Sequence, residues 1–79
     1  MIRKNLKLNR IKIALLETGH TGKWLAMQLG KDPATISKWC TNTSQPDLYT
    51  LKQISIFLNI DIRQLLEPNS NALNPKQFH

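Results

Sequence analysis

The residues best able to do chemistry in this chain lie close together between Thr21 and Asn42. This stretch, TGKWLAMQLGKDPATISKWCTN, combines hydroxyls, amides and lysines with two short apolar stripes. If residues 33–41 form a helix, one of its faces carries mostly small and polar side chains: Ala34, Thr35, Ser37, Lys38 and Thr41. Hydroxyl and ammonium donors along one helix face suit a polar, anionic partner. We therefore expect this segment to be the binding surface of the protein.

Side chains that could catalyse a reaction are few and scattered. Three of the five acidic residues are candidate helix N-caps: Asp32, Asp47 and Asp61. The other two, Glu17 and Glu67, lie far apart in the sequence. Neither His20 nor His79 has a spacing that indicates a metal-ligand pair or a catalytic triad. The sequence therefore predicts a protein that is not an enzyme.

The cysteine and the glycines indicate no metal or cofactor site either. A single cysteine, Cys40, permits no disulfide within the chain and has no histidine nearby, so we interpret it as a small buried apolar residue. The three glycines are dispersed and form no phosphate-binding loop. We expect neither a bound metal nor a cofactor.

Composition indicates one small domain with an anionic partner. Eleven lysines and arginines against five acidic residues give the 79-residue chain a formal charge of +6. This excess favours nucleic acid first and a membrane surface second. No stretch approaches the roughly 20 apolar residues of a membrane span, and charges interrupt the N-terminal MIRKNLKLNR before a signal peptide could form. We expect a cytoplasmic protein without a membrane association.

Apolar periodicity and capping residues predict five short helices. They cover residues 10–18, 22–29, 33–41, 48–58 and 62–67. Predicted N-caps precede each of them: Asn9, Thr21, Asp32, Asp47 and Asp61. Gly19, Gly30 and Asn59 suit the left-handed conformation that ends a helix. Pro33 suits the first position of the third helix, where a missing N–H does no harm.

The same periodicity predicts the core. The residues expected to face it are Ile11, Ala14, Leu15, Thr18, Leu25, Ala26, Leu29, Ile36, Trp39, Leu48, Leu51, Ile54, Ser55 and Leu58. In the last helix, Ile62, Leu65 and Leu66 are core or interface residues. Trp24 lies off the stripe of its helix, either as a lid on the core or as a platform for a stacked base.

Both ends of the chain lie outside this predicted bundle. Residues 1–8 form either a frayed extension or a basic arm that contacts phosphates. Residues 68–79 are polar, asparagine-rich and without periodicity, and we expect them to be a flexible, disordered tail.

The order of these motifs resembles the Cro/CI-type, or XRE, family of helix-turn-helix repressors. The resemblance covers residues 9–67. It depends on T-x-x-x-L-A-x-x-L-G from Thr21 to Gly30, T-I-S-K-W from Thr35, and P-x-L-x-T-L from Pro46. It ends with N-I-D-I-R-Q-L-L, residues 59–66. The resemblance implies an all-α fold, a compact five-helix bundle whose second and third helices form the helix-turn-helix.

The resemblance also implies a function. It places the third helix in the major groove of double-stranded DNA, as part of a sequence-specific transcriptional regulator that needs no cofactor. Four residues would face the bases: Pro33, Ala34, Ser37 and Lys38. Eight would contact the DNA backbone: Thr21, Gly22, Lys23, Thr35, Thr41, Asn42, Thr43 and Ser44.

The chain departs from the family pattern in three places. A glutamine that often clamps a phosphate at the start of the second helix is Gly22 here. Pro33 gives the recognition helix no donor at its first position. An arginine and a glutamate that pair between the first and third helices in many members correspond to Leu15 and Cys40, which we interpret as an apolar replacement of that pair.

We expect a homodimer on a partly palindromic operator, because one small domain offers few base contacts. The expected dimer surface consists of Ile56, Phe57, Ile60, Ile62 and Leu66, although the same residues could instead pack within the monomer. The alternative function is an antitoxin or adaptor that binds a protein partner, such as a toxin or another regulator, through Ile13, Leu16, Trp24 and the C-terminal tail. A third interpretation is a structural or RNA-associated basic domain.

Overall fold

A computed structural model describes residues 6–69 as a bundle of short helices. The helices are α1 (Ile11–Thr18), α2 (Gly22–Leu29), α3 (Pro33–Cys40) and α4 (Leu48–Leu58), followed by a 3-10 helix over Ile62–Leu65. Residues 6–69 contain no β-strand; a single antiparallel bridge joins Asn9 to Leu66. None of the helices in this part of the chain is long and apolar enough to cross a membrane.

The capping residues explain where the helices begin. The side chains of Thr21, Asp32 and Asp47 accept hydrogen bonds from the N–H groups of Trp24, Ala34 and Thr50. Asp61 caps the 3-10 helix, and Gln64 completes the capping box by accepting the Asp61 N–H. These four predicted caps are confirmed.

The first helix begins one residue later than predicted. Arg10 occupies its N-cap position without a side-chain hydrogen bond. Asn9 still helps to start the helix, because its Oδ1 accepts the Ile11 N–H at 2.9 Å. The residue predicted to begin the helix, Arg10, is not helical, with φ −116° and ψ 33°, and its N–H donates to the Leu65 carbonyl at 2.8 Å.

The helix ends show the expected left-handed residues. Gly19, Gly30 and Asn59 have φ values of 75°, 65° and 57°. At each of them the next residue bonds back to the carbonyl five positions earlier, as Lys31 does to Ala26 at 2.9 Å. The turn at Gly30 is the one that joins α2 to α3.

Two other helix boundaries differ from the prediction. The third helix ends at Cys40, with Thr41 as its C-cap. The predicted fifth α-helix over residues 62–67 is a 3-10 helix that ends at Leu65. It stops there because Leu66 is extended, and the N–H of Glu67 donates to the Leu8 carbonyl instead of continuing the helix.

The core contains most of the predicted residues. Its largest fully buried apolar side chains are Ile11, Leu25, Ile36, Ile54 and Leu65. Leu48 was predicted wrongly, since it is 73% exposed: it lies at the start of α4, where no other element covers it. Leu66, 44% exposed, is also outside the core.

The ends of the chain are only partly described. Lys7 and Leu8 are exposed, and the Leu8 N–H donates to the Asn42 side chain. The predicted basic arm and disordered tail otherwise concern residues 1–5 and 70–79, which lie outside the described residues.

The Asp47 cap predicts how stability depends on pH. Hydrogen bonds from the Thr50 hydroxyl and then from its backbone N–H hold the pKa of Asp47 below its ordinary 3.8. A lowered pKa means that this contribution to stability is present at neutral pH and is lost as the pH falls through the acidic range. We expect the urea midpoint to fall between about pH 7 and about pH 3, and to fall less in Asp47→Asn, which keeps a capping oxygen without a charge. An equal fall in both proteins would contradict this role of Asp47.

Candidate nucleic-acid interface

The candidate interface is built on α2, α3 and the turn between them. Gly30 in its left-handed conformation ends α2, and Asp32 with Pro33 starts α3 after only three residues. A connection this short, closed by defined hydrogen bonds at both ends, holds the two helices at a fixed angle. The N-terminus of α3 is exposed, and Asp32 accepts its first N–H groups: that of Ala34 through the side chain, and those of Thr35 and Ile36 through the carbonyl.

The third helix has one anchored face and one free face. Ile36 and Trp39 are buried in the core and fix the rotation of the helix about its axis. The four predicted base-facing residues are all exposed: Pro33, Ala34, Ser37 and Lys38. Thr35 is half-buried at the edge between the two faces. The sequence therefore located the exposed face of α3 correctly, while its contact with bases stays a prediction.

Several predicted backbone-contacting residues line one groove with the free face of α3. This groove, of about 450 Å³, lies where α1, α2 and α3 meet. Six of the predicted contact residues border it: Thr21, Gly22, Lys23, Pro33, Ser37 and Thr41. Lys12 of α1 also borders it, whereas no carboxylate does. The lining of the groove is therefore mostly apolar, with two lysines, from α1 and α2, and no carboxylate at its border.

Asn42 must be removed from the predicted backbone contacts. It is only 7% exposed, and its Oδ1 accepts the N–H groups of Leu8 and Asn9 at 2.8 and 2.9 Å. Its own N–H donates to the Trp39 carbonyl. With its acceptor and its backbone donor engaged inside the protein, Asn42 holds the loop in place and does not reach a phosphate.

The other loop residues remain exposed. The N–H groups of Thr43 and Ser44 donate to the Lys38 carbonyl at 2.8 and 3.3 Å, which leaves their hydroxyls at the surface. The hydroxyls of Thr41 and Thr43 lie 2.8 Å apart and share one hydrogen bond. Any phosphate contact by this loop would therefore use side-chain hydroxyls.

Comparison with known proteins now assigns the family. A family model described as "Helix-turn-helix" matches residues 11–65. The chain belongs to the Cro/CI-type, or XRE, helix-turn-helix family. A solved structure described as "a putative DNA-binding protein from Bacteroides fragilis" is 50% identical to it, with a TM-score of 0.76, and the match covers 78% of this chain and 100% of that one. A search of curated proteins finds no match.

In this XRE-type protein, the two residues interpreted as an apolar replacement of an ion pair, Leu15 and Cys40, lie in the first and third helices. Leu15 is buried and Cys40 is half-buried against the core, and both line the groove. Burial raises the pKa of the Cys40 thiol above its ordinary 9.0, although Lys12 opposes the shift. Cys40 is therefore less buried than predicted, but a thiol kept neutral at physiological pH is consistent with a packing role.

Sequence reasoning missed a pair of stacked rings beside the groove. The imidazole of His20 lies on the indole of Trp24, with ring centroids 3.8 Å apart and planes within 11° of parallel. The four-residue separation was visible in the sequence, but His20 lies in the connection between two helices. Helical spacing therefore did not predict that the rings would meet.

The predicted dimer residues fall into two groups. Ile60 and Ile62 are half-buried and pack against the core, so their packing lies within the monomer. Ile56, Phe57 and Leu66 are exposed. The sequence also missed Tyr49, which is 72% exposed on the same outward face of α4 as Ile56.

Proposed function

We propose that this protein is a sequence-specific, double-stranded DNA-binding transcriptional regulator. The observation that carries the proposal is α3: Ile36 and Trp39 anchor it, and Pro33, Ala34, Ser37 and Lys38 lie together on its free face. An α-helix fits the major groove, where each base pair presents a distinct set of donors and acceptors. The similar Bacteroides fragilis structure, described as DNA-binding, supports the proposal.

The contacts divide into base readout and backbone positioning. Lys38 can donate to guanine O6 and N7, Ser37 can donate or accept, and Ala34 can contact a thymine methyl group. Lys23, with the N–H groups at the start of α2, replaces the phosphate clamp that Gly22 lacks. Thr21, Thr35, Thr41, Thr43 and Ser44 add hydroxyls at the edges of this surface. Phosphate contacts of this kind fix the register of the helix on the duplex.

The decisive experiment is selection of bound duplexes from a random pool. We expect enrichment of a partly palindromic sequence with half-sites about 34 Å apart, one helical turn. A Ser37→Glu variant, which puts a negative charge on the free face of α3, should return the unselected pool. Failure of the unaltered protein to enrich any sequence would refute specific DNA recognition.

We also propose that the protein acts as a homodimer through the outward face of α4. Tyr49 and Ile56 are two helical turns apart on this face, 72% and 64% exposed, and Phe57 lies beside them. Large apolar side chains on an outward helix face are typical of an interface between subunits. This surface keeps Ile56 and Phe57 of the predicted set, adds Tyr49, and leaves out Ile60 and Ile62, which pack against the core of the monomer.

Replacing Ile56 by aspartate should give a monomer in analytical ultracentrifugation at concentrations where the unaltered protein dimerises. A charge would then have to be buried without a partner in the interface. Met27→Asp is the matched control, since Met27 is an apolar residue on α2 that is 73% exposed, against 64% for Ile56. If both variants sediment with the same assembly mass as the unaltered protein, the outward face of α4 is not the dimer surface.

A protein-binding adaptor or antitoxin is the second candidate function. The exposed Leu16, 70% accessible on α1, is the observation that favours it. Salt dependence separates the two functions. A regulator should keep binding its selected duplex at moderate salt, whereas an adaptor should show only weak, sequence-independent binding that salt abolishes.

A further inference from the structure

The stacked pair of His20 and Trp24 lies at the entrance to the candidate interface. His20 immediately precedes the cap of α2, and its side chain lines the groove shared by Thr21, Lys23 and Ser37. Neither of its ring nitrogens takes part in a hydrogen bond with a residue in the described part of the chain. A donor at this position is therefore available to a ligand that approaches the groove.

Trp24 fixes the direction of that donor. Stacking of the two rings, with centroids 3.8 Å apart, favours an imidazole that stays parallel to the indole. The ring nitrogens lie in the imidazole plane, so their N–H groups point sideways and not into the indole. Trp24 itself packs against the core, which makes it a firm support.

The surroundings of His20 indicate the charge of the ligand. Lys12 from α1 and Lys23 from α2 line the groove with His20, and α3 contributes only the neutral Cys40 thiol as a titratable group. No carboxylate lines the groove. A phosphate fits this set of donors, and an imidazolium would add one more positive charge to it.

We propose that His20 is an additional DNA-backbone contact, with Trp24 as its positioning residue. This inference rests on the proposed function. His20 supplies a side-chain donor close to Gly22, at the place where the family's glutamine is absent. Histidine is the side chain whose charge most readily responds to pH in the physiological range, so a phosphate contact made by a histidine is expected to be tighter at lower pH.

The test compares duplex binding by the full chain at about pH 6 and about pH 8, over a range of salt. The unaltered protein should bind its selected duplex roughly 3- to 10-fold more tightly at the lower pH, with a salt slope larger by about 1. His20→Gln should lose this pH dependence. It keeps every other titratable group, so it also controls for changes elsewhere on the protein.

Trp24→Leu tests the positioning role. Leucine keeps apolar packing against the core but removes the stacking surface, and circular dichroism checks that the helices remain. We expect the pH dependence of duplex binding by Trp24→Leu to be smaller than that of the unaltered protein and closer to that of His20→Gln. The double variant His20→Gln/Trp24→Leu should lose no more of this pH dependence than His20→Gln alone. A merely structural role for Trp24 would lower stability and leave the pH ratio unchanged.

The possible failures are distinguishable. If the unaltered protein binds a selected duplex and His20→Gln keeps the same pH ratio and salt slope, the His20 contact is wrong while the proposed function stands. If the unaltered protein shows no specific binding at either pH, both fail together.

Discussion

Replacing Asn42 by alanine should destabilise the protein by about 3 kcal/mol, one of the largest effects available to a single surface-loop residue. Its Oδ1 is the acceptor for the N–H groups of both Leu8 and Asn9, and its Nδ2 donates to the Asn9 carbonyl. Asn9 is 4% exposed, so water cannot replace the lost acceptor there. A buried donor left without a partner costs about 1–3 kcal/mol.

Backbone conformation adds to this cost. Asn42 has a φ of 60°, in the left-handed region that asparagine and glycine tolerate better than alanine. Asn42→Gly should therefore be less damaging than Asn42→Ala by about 1 kcal/mol, since it relieves the strain but still removes the hydrogen bonds. The two variants together separate the side-chain contribution from the backbone contribution.

Urea unfolding followed by circular dichroism measures both values. Thr43→Ala is the matched control, because its hydroxyl bonds only to that of Thr41 at the surface; it should change the stability by less than about 0.5 kcal/mol. If Asn42→Ala lies as close to the unaltered protein as this control, the buried amide network does not hold the loop after α3.

The Asn42 network explains why some of the fold could not be predicted from the sequence. Caps and left-handed residues act between neighbours in the chain, so Thr21, Asp32 and Gly30 revealed their roles directly. Asn42 bonds to Asn9, 33 residues away. No local pattern distinguishes such a buried asparagine from the exposed loop residues Thr43 and Ser44, which is why all three were predicted to contact DNA.

The errors in the core have the same origin. Leu48 occupies a position that extends the apolar stripe of α4 by one turn, and periodicity alone makes it equivalent to Leu51. Whether a stripe is covered along its whole length depends on how far the neighbouring elements reach. The end of the 3-10 helix likewise depends on a distant partner, the Leu8 carbonyl that accepts the Glu67 N–H.

The free face of α3 was predictable because two buried residues determine it. Ile36 and Trp39 are three positions apart, so they orient one side of an eight-residue helix toward the core and leave the opposite side exposed. His20 shows the limit of this reasoning. It lies in the connection between α1 and α2, outside any helix, so helical spacing could not predict that its ring stacks on Trp24.

Replacing Lys38 by alanine should weaken binding to the selected duplex by about 10- to 100-fold, the effect of about 1–3 kcal/mol expected for a base contact in the major groove. The preference for one base pair in each half-site should relax at the same time. The helix itself should be unaffected, because Lys38 holds the following loop through its backbone carbonyl, which accepts the N–H groups of Thr43 and Ser44. Alanine keeps that carbonyl.

A control variant that also removes one positive charge distinguishes a base contact by Lys38 from a general electrostatic effect. Arg63→Ala removes one positive charge from the 3-10 helix, where Arg63 is exposed and paired with Asp61 at 3.1 Å. It should weaken binding little and equally for selected and random duplexes, because distant surface charges are screened by salt. Competition between selected and random duplexes measures the specificity of each variant.

If Lys38→Ala weakens binding to both duplexes equally and lowers the salt slope by about 1, Lys38 contacts a phosphate. Ser37 and Ala34 would then remain as the side chains of α3 that contact bases. The axis of α3 would lie further from the base edges of the DNA major groove than a Lys38–base contact requires.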